Sequence, residues 1–111
     1  MGLLDIFWRS KPVYELLQKA AEQGEPQAQL HLGAMYFTGQ GVRQDYALAV
    51  QWLQKAATQG IPEAQFNLGS MYYNGQGVTQ NYDLAVQWWQ NAAKQGHREA
   101  QKILKNERLN W

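Results

Sequence analysis

The sequence predicts an all-α solenoid of 36-residue helix-turn-helix repeats, about six helices in all. One motif recurs without insertion: Ala20-Ala21-Glu-Gln-Gly24, Ala56-Ala57-Thr-Gln-Gly60 and Ala92-Ala93-Lys-Gln-Gly96 stand 36 residues apart. Residues 20–55 and 56–91 then match at about two positions in three, far above chance, which marks an internal repeat. Within each unit the apolar residues fall at i, i+3 and i+4, the spacing of one helix face.

Reading along the chain, residues 1–9 form an apolar segment containing Leu3, Leu4, Ile6, Phe7 and Trp8. Asp5 interrupts it, no basic stretch precedes it and no small-residue cleavage site follows, so it reads poorly as a signal peptide. Residues 10–19 align one period back with the second helix of the repeats and form a leading half-unit. Repeat 1 is 20–55, repeat 2 is 56–91, and 92–111 is a trailing half-unit with a C-terminal cap, all in one domain. In each full unit the first helix opens at Pro26 or Pro62, since proline suits the first turn, where its missing N–H costs nothing. It ends near Gly39 or Gly75, at a Gly-Gln-Gly turn. Asp45 and Asn81 are placed to cap the second helix, which runs through Tyr46–Gln59 or Tyr82–Gln95 and stops at Gly60 or Gly96.

Packing follows from spacing. Ala28, Leu32, Met35 and Tyr36 share a face of the first helix; Tyr46, Ala49, Val50, Leu53, Ala56 and Ala57 make the facing stripe. Gly33 and Gly69 leave room for a close helix approach. Tyr36, Tyr72, Tyr46, Tyr82, Trp52 and Trp88 recur with the period and are expected to pack. No single helix pair hides both of its faces, so neighbours must stack. A final first-type helix is expected over 98–109. There Lys105, Glu107 and Arg108 replace Gly69, Met71 and Tyr72, while Ala100 and Leu104 keep the inner contact.

The motif set Ala-Ala-x-x-Gly, Ala-Gln-x-x-Leu-Gly-x-Met-Tyr, Gly-x-Gly-Val and Tyr-x-x-Ala-Val-x-Trp resembles the Sel-one-like repeat, a relative of the tetratricopeptide repeat. The resemblance covers residues 20–96 continuously and extends by half-units to both ends. It implies a right-handed α/α superhelix, used in known members as a scaffold or adaptor.

Composition bounds the chemistry. Ten basic against nine acidic side chains leave a net charge of +1, a poor match to nucleic acid, which asks for a basic patch. Absence of cysteine removes thiolate and Cys-zinc chemistry. It fits a reducing cytoplasm and leaves the periplasm open. No apolar run reaches the ~18–20 residues of a membrane span. His31 and His97 occupy different repeat positions and read as ordinary surface residues; no ligands converge on either, and no metal or cofactor is expected. Ser70 lies mid-helix and outside a nucleophile elbow. The Gly-Gln-Gly turns lack the Lys-Ser/Thr of a phosphate loop. No catalytic residues emerge, and the chain reads as a non-enzyme.

What the packing stripe leaves over is a second line on each first helix: Gln27, Leu30, Ala34 and Phe37, then Glu63, Phe66, Ser70 and Tyr73. In tetratricopeptide-like superhelices the corresponding face lines the concave groove, where aromatic anchors commonly dominate binding. His31, Asn67, Glu99 and Lys102 would form its polar rim. The alternative is that Leu30, Phe37, Phe66 and Tyr73 pack between adjacent first helices. Trp89, which replaces Leu53, and Trp111 break the period and are candidates for a convex contact. The expected function is a protein-interaction module: a scaffold, an adaptor or a dedicated binding or inhibitory partner for another protein or peptide. The alternatives are an enzyme or glycan binder of cell-wall or β-lactam chemistry, or a subunit that self-assembles through Leu3, Leu4, Ile6, Phe7 and Trp8. Relatives linked to the former chemistry are cysteine-rich.

Overall fold

The computed structural model describes residues 3–111, with side chains from Pro12 onward. Among the described residues there are six helices and no strand: α1 (Leu3–Glu22), α2 (Pro26–Thr38), α3 (Tyr46–Thr58), α4 (Pro62–Asn74), α5 (Tyr82–Lys94) and α6 (Arg98–Asn106). Each helix packs on its neighbours in sequence, the arrangement of a solenoid. The result is an elongated body of 50 × 24 × 23 Å. α1 is one helix with Pro12 inside it, so the leading half-unit extends back to Leu3. Whether the side chains of Leu3, Leu4, Ile6, Phe7 and Trp8 cover a flank lies outside the described residues.

The local signals act as expected. Proline opens α2 and α4, and Gly39 and Gly75 end them in the left-handed region. The Asp45 carboxylate accepts from the Leu48 amide at 3.0 Å, and the Asn81 side-chain oxygen accepts from that of Leu84 at 3.1 Å. Each satisfies an amide that the first helical turn cannot.

One boundary differs. α6 ends at Asn106, three residues short of the spacing-based limit. The Arg108 amide donates to the Lys105 carbonyl and that of Leu109 to the Leu104 carbonyl. This is the same pair of bonds that closes α3 around Gly60 and α5 around Gly96, a Schellman turn. Arg108 takes the glycine's place at φ +59°, so the stop carries no glycine in the sequence.

The core alternates small and large residues. Leu32, Leu53, Leu68, Met71 and Leu104 are fully buried among Ala49, Ala56, Ala64, Ala85, Ala92 and Ala100. Each such large side chain contributes about 1.5–3 kcal/mol by leaving water. Glycine sets the helix spacing in both repeats. A Cβ on Gly33 would stand 2.7 Å from Leu53 Cγ, and one on Gly69 would stand 2.8 Å from Trp89 Cδ1. Two expectations are corrected here. Trp89 is no convex contact: it is 5% exposed, wedged against Gly69. Tyr82 recurs with the period yet is 57% exposed; its ring meets the body edge-on at Tyr73, 5.1 Å between ring centres.

A periodic glutamine clasp, unforeseen from the sequence, joins the units. Gln29 and Gln65 are buried. Their side-chain amides donate to the Ala21 and Ala57 carbonyls at 3.1 Å. One unit on, Gln59 and Gln95 donate to the side-chain oxygens of Gln29 and Gln65 at 2.8 and 2.9 Å. Buried polar side chains are tolerated when paired in this way, and the pairing sets the register of repeat on repeat. Gln101 repeats the first half of the clasp, donating to the Ala93 carbonyl at 2.9 Å.

Candidate functional site

The line of residues left over by the packing stripe lies on α2 and α4, and three clefts open along it. The first, of about 310 Å³, spans three repeat starts: Gln27 and Leu30 of α2, Pro62 and Glu63 of α4 with Ile61 before it, and the Gln95–His97 turn ahead of α6. The second, of about 220 Å³, lies between α2 and α4 and is lined by Ala34, Phe37, Thr38, Leu53, Asn67, Ser70 and Met71. The third, of about 410 Å³, is walled by Tyr73, by Tyr82, Val86 and Trp89 of α5, and by Ile103, Leu104, Glu107 and Leu109.

Eight of the twelve expected site residues therefore line clefts: Gln27, Leu30 and Glu63 the first, Ala34, Phe37, Asn67 and Ser70 the second, Tyr73 the third. Phe66, His31, Glu99 and Lys102 line none of the three. His31, Glu99 and Lys102 are exposed. Phe66 is half-buried and stacks on the His97 ring at 4.6 Å between centres. Leu30 and Phe37 also pack against the central core, so each both lines a cleft and packs.

Hydrogen bonds fix the aromatic walls. Gln44 donates to the Phe37 carbonyl at 2.8 Å. Its counterpart Gln80 donates to the Tyr73 carbonyl at 2.7 Å and to the Tyr82 hydroxyl at 3.1 Å. The Gly-Gln-Gly turns are thus tied to the ends of α2 and α4, and Phe37 rests 5.3 Å from Tyr46.

His97 is more than a surface residue. Its Nδ1 accepts from the Ala100 amide at 3.2 Å and so caps α6, while its ring covers Phe66. His97, Val86, Ile103 and Leu109 escaped the sequence reading as site residues. Ile103 had a signal, since it replaces Asn67 one period on and turns a polar rim position apolar.

Chemically the second and third clefts offer mainly apolar and aromatic contact, while the first sets Leu30, Ile61 and Pro62 beside Gln27, Glu63, Gln95 and His97. The Ser70 hydroxyl is engaged, donating to the Phe66 carbonyl at 3.1 Å. Among the described residues no three metal-ligating side chains converge, and no helix is long and apolar enough to cross a membrane. The perturbed acid lies elsewhere: burial first, then the 2.7 Å hydrogen bond to the Tyr36 hydroxyl, push the Tyr14 phenol up to about 12.

Comparison with known proteins settles the lineage. The Sel1 repeat profile matches residues 14–25, 26–61 and 62–97. The chain belongs to the Sel1 repeat family. Sel1 repeats generally serve as protein-interaction modules. The fold is that of a Sel1 repeat protein from Oxalobacter formigenes, 44% identical, with a TM-score of 0.80 over 81% of this chain and 68% of that one. It is equally that of c5321, a protective antigen of uropathogenic Escherichia coli, 44% identical with a TM-score of 0.81. That match covers 83% of this chain but 20% of the antigen. Helicobacter pylori cysteine rich protein B is 29% identical, with a TM-score of 0.81 over 86% of this chain and 71% of that one. This Sel1 repeat chain has the same fold with no cysteine. Among curated proteins none matches.

Proposed function

We propose that this Sel1 repeat chain is a binding module that holds a segment of a partner protein along the face of α2, α4 and α6. The observation that carries this is the run of three clefts on one face, with Phe37 in the second and Tyr73 in the third. Apolar clefts with a few fixed polar groups are how side chains of a partner are received, and ordered aromatics supply the anchoring energy. Asn67 and Ser70 supply polar contacts between the two anchors. The reading assigns the chain no catalytic role.

Ala34→Arg and Tyr73→Ala test it. The first puts a charged stem in the second cleft, and the second strips a side chain that is 45% exposed and meets the core at Trp89, 5.4 Å between ring centres. Each variant is checked for the parent's melting temperature, then immobilised and exposed to lysate of the source cell. A protein retained by the parent and lost by both variants is the expected result. Equal retention by all three would overturn the groove reading.

A further inference from the structure

Among the described residues, the flank of α1 that faces away from α2 is apolar and exposed, and the internal repeat specifies what fits it. Val13 is 65% exposed and Leu16 is 72% exposed, and with Ala20 they lie at i, i+3 and i+7 on one stripe. One and two periods on, the counterparts of Val13 are Ala49 and Ala85, and those of Ala20 are Ala56 and Ala92. All four are fully buried, because α2 covers α3 and α4 covers α5. The counterparts of Leu16 are Trp52 and Trp88. Trp52 packs on the cluster of Ala21, Ala28 and Leu32, and Trp88 on that of the central core. Residues 3–22 form a single helix, and among the described side chains none covers Val13 or Leu16.

We infer that this flank of α1 docks an amphipathic helix of a partner protein, seated as α2 seats on α3, with a glycine facing Leu17. The glycine follows from the close approach that recurs twice. Leu17 stands where Leu53 and Trp89 stand, and those side chains come within 2.7–2.8 Å of where a Cβ on Gly33 or Gly69 would be. The same requirement excludes α6 of a second copy, whose residue at that position is Lys105. An apolar stripe with helical spacing and ridges of small residues is the general acceptor for such a helix. This surface is separate from the clefts on α2, α4 and α6.

The test uses a fluorescent peptide with the sequence of α2, residues 26–38, held helical by a staple across positions 27 and 31, both exposed in α2. Its anisotropy is titrated with the full-length protein. The expectation is saturable binding that weakens about tenfold or more in Leu16→Asp, where a charge would be buried. A peptide with leucine at its glycine position is expected to lose affinity likewise. Leu16 is exposed, so Leu16→Asp should keep the parent's helix content and melting temperature. No binding by the parent overturns the inference, as does equal binding by Leu16→Asp. A concentration-dependent dimer in light scattering, abolished by Leu16→Asp, also overturns it, because the flank would then be filled by a second α1.

Discussion

Replacing Gly69 with alanine puts a methyl carbon into a contact that is already closed. Its Cβ would stand 2.8 Å from Trp89 Cδ1, 2.9 Å from the indole nitrogen and 3.0 Å from the Ala85 carbonyl oxygen. The indole is wedged and the carbonyl belongs to the α5 backbone, so α4 and α5 must move apart. Overpacking of this kind costs about 1–3 kcal/mol, while alanine in place of mid-helix glycine recovers about 1 kcal/mol of helix propensity. Three contacts at 3.0 Å or less, one of them to backbone, put the cost in the upper part of that range, about 2–3 kcal/mol, for an expected net loss of about 1–2 kcal/mol. At ~2.1 cal/mol/K of unfolding entropy per residue this lowers Tm by about 4–8 °C. Gly33→Ala meets Leu53 Cγ at 2.7 Å and Cδ2 at 2.9 Å, with the Ala49 carbonyl more distant at 3.4 Å. A leucine can change rotamer where the indole cannot, so Gly33→Ala is expected within about 1 kcal/mol of the parent, its propensity gain offsetting the repacking. The assay is thermal unfolding by circular dichroism of both variants, with Trp89→Leu and Gly69→Ala/Trp89→Leu completing a double-mutant cycle. The cycle should show coupling of about 1 kcal/mol or more, since the leucine relieves the clash. If Gly69→Ala is as stable as the parent, or Gly33→Ala costs more, helix spacing is not set by these glycines.

Three further outcomes follow from particular contacts. Arg108→Gly removes a side chain from the left-handed region, which costs non-glycine residues about 1 kcal/mol or more, and should raise Tm by a few degrees; an unchanged Tm refutes the strain. Gln65→Ala leaves the Ala57 carbonyl with only the Gly60 amide and the Gln95 amide without its partner, and should cost about 1 kcal/mol in denaturant unfolding. The equivalent change at half-exposed Gln101 should cost less, and equal costs would count against the clasp. For Tyr14 the folded-state value of about 12 lies above the ordinary 10.0. Its contribution is therefore complete below pH 10 and is lost as pH rises from 10 through 12. Tyr14→Phe should flatten the Tm-against-pH curve in that window; an identical slope rules the phenol out as its source.

How much of this was legible in the sequence depends on how local the cause is. Pro26, Asp45 and Gly39 act within a few residues, and their helix ends fall where they mark them. Arg108 ends α6 through backbone geometry that carries no composition signal, so the spacing overran to residue 109. The glutamine clasp was equally hidden: the period shows that Gln29 and Gln59 recur, but not that two amides 30 residues apart meet. Tyr82 and Trp89 show the limit from the other side. A period identifies equivalent positions, but whether each is covered depends on the helix that crosses it. The candidate site divides in the same way. The stripe of Leu30, Ala34, Phe37, Ser70 and Tyr73 was readable from helical spacing. The use of Phe66 as a seat for His97 was not, because it depends on how the turn before α6 returns over α4.

The same spacing rule makes the two flanks of the array unequal. On α6, Lys105 occupies the position of Gly33 and Gly69, and it is exposed. A helix of the α3 or α5 kind could not approach α6 as closely as α5 approaches α4, since the Cβ alone would stand inside the contact distance that the glycines keep open. Glu107 and Arg108 add charge where Met71 is buried and Tyr72 packs, so burying that flank would desolvate three charges at a cost of several kcal/mol each unless they were paired. On α1, among the described residues, Val13, Leu16 and Ala20 carry neither charge nor a hydrogen-bonding side chain. Any extension of the helix stack by another chain is therefore directed to α1. A helix docked on α1 would leave the clefts along α2 and α4 uncovered.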